Sequence, residues 1–414
     1  MSATRTILFV AYGGGHIAMV LPVIEALRRT RPDLQCRLLA LTTGHKRALA
    51  AGVPALGYKD LLHLVDREAA LHWGKQLSEG NTSPDVSAEE TVAYLGINYL
   101  SLIEQMGADE AARHYAEKGR RGFLPLAFMR RVLAELRPDA VVATNSPRSE
   151  EAALQAAAMA GIPTLGMIDL FGLSRDPYVH RPVRPDRTCV LSASVRQRVL
   201  SHGFDADEVV VTGNPGFDGM FAPANLEQAQ AFRERMGWQR HKVILWAGQA
   251  DLPPDAPPGA DPYAFAAGIE LRLRELVRRR EDLALIVRYH PSQWQALERL
   301  PDQARVHFSI PSQEPIHPVL LACDAVVVQN STVGLESAVA GIPVVSLEYS
   351  MAVRHGFSLA QLGVSMGCES TEALPQAIDA ALALKRPHLG EFRSDGQAAQ
   401  RVAQCLLGLI DKTA

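Results

Sequence analysis

At 414 residues, 47% of them hydrophobic and 6% aromatic, the chain is long for a single core, and a mean hydropathy of -0.01 marks an ordinary globular polypeptide. Its formal charge of -3 argues against general nucleic-acid binding. The five cysteines (Cys36, Cys189, Cys323, Cys368 and Cys405) are scattered and form no CxxC pair, which suggests neither a disulfide framework nor a zinc site. The first apolar run, Ile7 to Ala11, is too short for a signal-peptide core and no stretch reaches transmembrane length, so the expectation is a cytoplasmic protein that meets a membrane only from its surface.

Short apolar runs alternate with longer amphipathic ones, the pattern of parallel sheets covered by helices. In the first half, strands are expected at Thr6–Ala11, Cys36–Leu41, Ala140–Ala143, Thr164–Ile168, Thr188–Leu191 and Val209–Thr212. A glycine-rich loop and a helix from Ile17 to Thr30 follow the first of them, and the more polar stretch from Lys59 to Gly122 reads as helical. The breakers Gly213-Asn214-Pro215-Gly216 and Phe221-Ala222-Pro223-Ala224-Asn225 mark a hinge. In the second half, strands are expected at Val243–Ala247, Leu283–Tyr289, Val306–Phe308, Ala325–Val328 and Val344–Leu347, and the proline-rich Pro253 to Pro262 reads as a flap at the edge of a cleft. The domains read as 1–216, 217–388, and a C-terminal helix in 389–414 that packs back on the first. Ligands of doubly wound sheets sit outside the carboxyl ends of the strands, so two such edges facing a central cleft are expected.

The candidate chemistry lies at those ends. Gly13-Gly14-Gly15-His16 follows a strand and opens a helix, which lets backbone approach a ligand, and the imidazole beside it can bond a phosphate or a hydroxyl. The motif is neither GxGxxG nor a P-loop, and a purely structural turn accounts for it equally well. Thr144-Asn145-Ser146-Pro147-Arg148-Ser149-Glu150-Glu151 ends one strand and starts a helix, and Asp169 ends the next strand. An acid there, Asp169 above all, is placed to take a proton from an acceptor hydroxyl, against the plainer reading of a cap or loop ion pair. In Arg288-Tyr289-His290-Pro291, the proline stops the strand and exposes His290, with Arg288 the weaker candidate for a charge on phosphate. In Cys323 to Leu347 a β-branched run stops at Asn330, Ser331 and Thr332 before a helix, where an anion fits the dipole, and Glu336 one turn on suits a ribose diol. Asn330 and Ser331 also read simply as caps. The cations Arg113, Lys118, Arg120, Arg121, Arg130 and Arg131, interleaved with Phe123, Leu124, Leu126 and Phe128, suit a solvated helix face or an anionic lipid surface. There is no HExxH and no GxSxG.

Taken in order, the glycine-rich loop, Thr144 to Glu151, Ile162-Pro163 to Asp169, Val211 to Pro215, His290-Pro291 and Ser331 to Glu336 resemble the GT-B glycosyltransferase and UDP-N-acetylglucosamine 2-epimerase superfamily over most of the chain. The resemblance implies a GT-B fold of two Rossmann-like domains. By position it places Ser331, Thr332 and His290 at phosphate and Glu336 at ribose, and it puts the glycine-rich loop at the border of the cleft; Gly14, Gly15, Gly248, Asn330 and Gly334 are expected with the donor-binding residues. Asp169 falls where epimerases carry an acid. The His-Arg-Arg-Glu-Asn block of the epimerases is here Trp246-Ala247-Gly248-Gln249-Ala250-Asp251, and the aspartate before the nucleotide-loop serine is Asn330. The pairing of His290-Pro291 with Ser331-Thr332 also resembles sialyl- and Kdo-transferases that use CMP-sugars.

The expected function is glycosyl transfer from a UDP- or CMP-sugar to a saccharide or lipid-linked acceptor in bacterial surface polysaccharide, glycolipid or natural-product assembly. Asp169 is the expected base, His16 and Glu151 stand in reserve, no metal or other cofactor is required, and peripheral contact with the inner membrane face is compatible with the basic patch. The rivals are a 2-epimerase-like enzyme acting on the nucleotide sugar alone and a non-catalytic nucleotide-sugar-binding subunit.

Overall fold

The computed structural model describes residues 5–80, 86–253, 255–291, 293–297, 299–384, 392 and 394–411. The chain forms two compact units, Met1–Asp218 with Asp395–Ala414, and Gly219–Ser394. The expected boundary at 388/389 lies outside the described residues.

The first unit holds six parallel strands: β1 (Thr6–Ala11), β2 (Gln35–Ala40), β3 (Ala140–Thr144), β4 (Thr164–Met167), β5 (Arg187–Val190) and β6 (Val209–Val211), in the order β2-β1-β3-β4-β5-β6. Strand β1 shows why both faces must be covered. Its period of two sends Ile7, Phe9 and Ala11 into one core with the helices Gly15–Thr30 and Ala398–Ile410, while Leu8 and Val10 enter a second core on the opposite face. That second core takes up much of the stretch expected to be polar and helical. The described residues between 58 and 118 form a 3-10 turn, Tyr58–Leu64, and three helices, Arg67–Ser78, Ala88–Met106 and Ala108–Lys118; Ala93, Tyr94, Leu95, Ile97, Tyr99 and Leu102 of the middle helix are all buried. Inside it Glu90, nearly buried, accepts N–H bonds from Tyr58 (2.8 Å) and Lys59 (3.0 Å) and so caps the 3-10 turn. Phe123 and Phe128 of the basic patch belong to this core, which leaves them unavailable to insert into a lipid surface, while Arg113 and Arg131 pair with Glu110 and Glu104.

The helix Ala398–Ile410 packs on Gly15–Thr30 and β5. Its free N-terminal N–H groups at Ala398 and Ala399 donate to the Asp218 carboxylate (3.1 and 2.7 Å), and Arg401 donates to the Thr212 carbonyl (2.7 Å). These bonds tie the end of the chain to the point where it first leaves this unit.

The second unit also has six parallel strands: β7 (Lys242–Gly248), β8 (Leu283–Tyr289), β9 (Val306–Phe308), β10 (Ala325–Val328), β11 (Val344–Leu347) and β12 (Met366–Cys368). Their order, β12-β11-β10-β7-β8-β9, reverses direction between β7 and β10 and is that of a dinucleotide-fold sheet. The sequence gives no sign of β12, because Met366-Gly367-Cys368 is too short and too mixed to show a period. It is an edge strand held by pairing with β11. The proline-rich loop is closed at its base by a bond from the Asp251 N–H to the Pro262 carbonyl (2.8 Å). Among the described residues no helix is long and apolar enough to cross a membrane.

Candidate functional site

In the second unit the reversal point opens between the carboxyl ends of β7 and β10, and side-chain amides stitch it together. The Gln249 N–H donates to Gln329 Oε1 (3.0 Å), the Gln249 amide donates to Asn330 Oδ1 (2.7 Å), and the Asn330 amide donates to the Ala352 carbonyl (2.6 Å). Asn330 therefore spends both ends of its side chain on the neighbouring segments after β7 and β11. We expect Asn330→Ala to destabilise this unit by about 1–3 kcal/mol in urea unfolding without any nucleotide present, the net worth of two hydrogen bonds at about 0.5–1.5 kcal/mol each; an unchanged midpoint would move Asn330 back to a purely ligand-facing role.

Beyond Asn330, Ser331 caps the helix Thr332–Val339 by accepting the Val333 N–H (3.3 Å), while the Thr332 hydroxyl is exposed beside it. The tip of this loop thus lies at the surface, with a helix start beneath it. Glu336, half-buried one turn on, stands 3.5 Å from His317 Nε2. Arg288 is 6% exposed, donates to Ser309 Oγ (2.7 Å), and has its pKa lowered by burial, with the charges of Glu314 and Glu336 opposing that shift. His290 is exposed at the end of β8, its backbone N–H bonded to the Gly248 carbonyl (3.2 Å), and desolvation on its inner side lowers its pKa, which favours a neutral ring. The glycines here answer to packing. A Cβ on Gly248 would sit 2.7 Å from the Tyr289 ring, and one on Gly334 would sit 2.6 Å from Leu359. Asp251, which the sequence does not single out as a structural residue, is buried and accepts the N–H groups of Met351 (3.1 Å) and Ala352 (2.6 Å).

In the first unit the carboxyl edge gathers the loops after β1, β3 and β4. Gly13 is held by packing, because an added Cβ would lie 2.0 Å from Thr43 Oγ1. Gly14 and Gly15 are exposed, Gly14 has a φ of 65°, and a Cβ at either would meet nothing within 4 Å, so this stretch of backbone is open to approach. His16 Nδ1 lies 2.8 Å from Thr144 Oγ1, which donates to Glu150 Oε1 (2.9 Å); the same carboxylate oxygen takes the Tyr12 N–H (2.8 Å).

Asp169 is half-buried. Its N–H donates to Asn145 Oδ1 (3.2 Å), its carbonyl accepts from Asn214 (3.2 Å), and no described residue bonds its carboxylate. Nearby Asp176 has its pKa raised by burial first and by the charge of Asp169 as well. Glu151 turns the other way, 3.4 Å from Arg181, which is itself buried and donates to the carbonyls of Asn145 (3.0 Å) and Ser146 (2.7 Å). That use as the counter-ion of a buried arginine leaves Glu151 poorly placed to take a proton. Sequence reasoning reaches Thr144 and Glu150 only as members of the Thr144 to Glu151 run, without a role for either, and it does not reach Arg181 or Asp176, which carry no motif of their own. Among the described residues no three His, Cys, Asp or Glu side chains gather as a metal would require.

No family model matches this sequence, and neither does any curated protein. Solved structures do match in three dimensions. The UDP-GlcNAc 2-epimerase of Methanocaldococcus jannaschii in complex with UDP-GlcNAc and UDP is 14% identical, covers 98% of this chain and 100% of its own, and superposes with a TM-score of 0.59. The enzyme of the same name from Neisseria meningitidis, bound to UDP-GlcNAc, is 17% identical with the same coverage and a TM-score of 0.57. The wall teichoic acid polymerase TagF, soaked with CDPG, is 14% identical over 99% of this chain and 90% of its own, with a TM-score of 0.58. The chain shares the fold of these two epimerases and of the polymerase. At these identities the likeness fixes the GT-B architecture and leaves activity to the residues.

Proposed function

We propose that this GT-B protein is a glycosyltransferase that moves a sugar from a nucleotide-activated donor to an acceptor hydroxyl. The observation that carries the reading is the loop after β10, where a capping Ser331 and an exposed Thr332 stand over a helix start at the reversal point of a dinucleotide-type sheet. Neighbours of the same fold are named as bound to UDP-GlcNAc, UDP and CDPG, which supports a nucleotide sugar as the ligand class. In this reading the departing phosphate is met by the helix N-terminus, the Ser331 and Thr332 hydroxyls and His290, and Glu336 takes the ribose diol. Asp169 and His16, both at the carboxyl edge of the first unit, are the candidate bases for the acceptor hydroxyl.

The epimerase reading has a specific observation in its favour, since most of the neighbours compared carry that name. Against it, the acid of the Trp246 to Asp251 segment is not free for chemistry, because Asp251 is committed to the Met351 and Ala352 N–H groups. Incubating the protein with UDP-GlcNAc alone separates the two: acceptor-independent conversion to the 2-epimer would replace the transfer reading.

A thermal-shift series with UDP, CMP, GDP and dTDP tests the ligand class. One nucleotide at about 100 times its Kd is expected to add about 2.7 kcal/mol to the native state and raise Tm, with Glu336→Gln weakening the shift. A Tm unmoved by all four nucleotides would overturn the proposal.

A further inference from the structure

We infer that Thr144 and Glu150 form a buried relay that holds His16 as its Nδ1–H tautomer and so leaves Nε2 as the proton acceptor of the first unit. The inference follows from counting protons. Glu150 is 0% exposed, and its Oε1 accepts both the Tyr12 N–H (2.8 Å) and the Thr144 hydroxyl (2.9 Å). A threonine hydroxyl has one hydrogen to give, and here it goes to Glu150. What Thr144 Oγ1 presents to His16 Nδ1, 2.8 Å away, is a lone pair, so Nδ1 must carry the hydrogen. In the neutral ring this single N–H is the one on Nδ1, and Nε2 keeps its lone pair.

Protonating Glu150 would not change the result. Its Oε1 already accepts twice, so a proton would sit on Oε2, which has no partner among the described residues. The Thr144 hydroxyl would still point to Oε1. Nothing described bonds His16 Nε2, and the ring is half-exposed beside the open backbone of Gly14 and Gly15.

The role of this nitrogen rests on the transfer reading given above; its tautomer does not. In transfer, the acceptor oxygen bonds the anomeric carbon as the bond from that carbon to the donor phosphate oxygen breaks, and the acceptor's proton moves to Nε2. The resulting imidazolium keeps its Nδ1–H bond to Thr144, and behind it stands the Glu150 carboxylate, so the charge forms where a negative group already waits. Thr144 and Glu150 act through His16 and are positioning residues.

The test is a long-range nitrogen–proton correlation spectrum of the histidine rings in the full chain without ligand, with His16→Asn identifying which of the 13 histidine patterns belongs to His16. The expected wild-type pattern is that of a protonated Nδ1 and a bare Nε2. Thr144→Val, nearly the same shape without the hydroxyl, is expected to move the pattern to Nε2–H or to a mixture, and Thr144→Ser to restore Nδ1–H. An Nε2–H pattern in the wild type overturns the relay, as does an unchanged pattern in Thr144→Val. The wild-type spectrum decides the tautomer by itself, so the outcome does not depend on the valine variant folding. Because no donor or acceptor is present, a failed relay leaves the transfer reading standing, and a protein without transferase activity leaves the relay standing.

Discussion

Under the proposed transfer reaction, replacing His16 with asparagine is expected to lower kcat by about 10²- to 10⁴-fold, the usual worth of a positioned general base, while the KM for the donor changes little. Asparagine keeps a hydrogen-bonding group near Thr144 Oγ1 but offers no nitrogen able to take a proton, so the loss falls on the chemical step. The partner measurement is Asp169→Asn. The Asp169 backbone is fixed by Asn145 and Asn214, but no described residue orients its carboxylate, whereas the His16 ring is fixed through Thr144. The expected loss for Asp169→Asn is therefore smaller, about tenfold, the size of an effect on acceptor binding and orientation. If Asp169→Asn abolished turnover and His16→Asn did not, the base would be Asp169 and the relay would be a structural feature of the loop. Nucleotide affinity, read by the thermal shift, is expected to stay unchanged in both variants, because both residues lie in the unit that does not carry the loop after β10.

Strand periodicity in the sequence is enough to expect two sheets, and eleven of the twelve strands among the described residues fall where the apolar runs lie, within one or two residues at their ends. The site is less legible, and the reason is geometric. Glu150 and Glu151 are adjacent in the sequence and look interchangeable. On a helix, consecutive side chains diverge by about 100°, so one points back to the edge at Thr144 and Tyr12 while the other meets Arg181. No local pattern says which glutamate goes where, because the deciding partners lie on β3, on the loop after β1 and in the segment after β4. Asn330 illustrates the same limit. As a cap or as a ligand contact it looks alike in the sequence, and only the positions of Gln249 and Ala352 show that its amide is already in use. Asp169 stands out after an apolar strand because acids are rare there. What the sequence does not carry is whether anything holds that carboxylate in a productive direction.

The largest stability effect is expected at a pair of glycines between two helices of the first unit. The helices Arg67–Ser78 and Ala88–Met106 approach each other backbone to backbone: a Cβ on Gly96 would lie 1.8 Å from the Ala70 carbonyl oxygen, and one on Gly74 would lie 2.0 Å from the Val92 carbonyl oxygen. Both obstacles are main chain and cannot rotate away, so an added methyl must push the helices apart and open the core around Ala70, Ala93 and Tyr99. Gly96→Ala is expected to cost about 3 kcal/mol or more in urea unfolding, even though alanine gains about 1 kcal/mol of helix propensity. Gly268 in the helix Ala264–Arg279 provides the control, because a Cβ there meets nothing within 4 Å; Gly268→Ala should stabilise by about 0.5–1 kcal/mol. The double variant Gly74→Ala/Gly96→Ala tests the cause directly. Once one methyl has separated the helices, the second finds part of its space already made, so the double variant should cost clearly less than the sum of the single ones. Strict additivity would show that each methyl is accommodated by its own local distortion, and a Gly96→Ala protein as stable as the wild type would show that the two helices do not meet backbone to backbone.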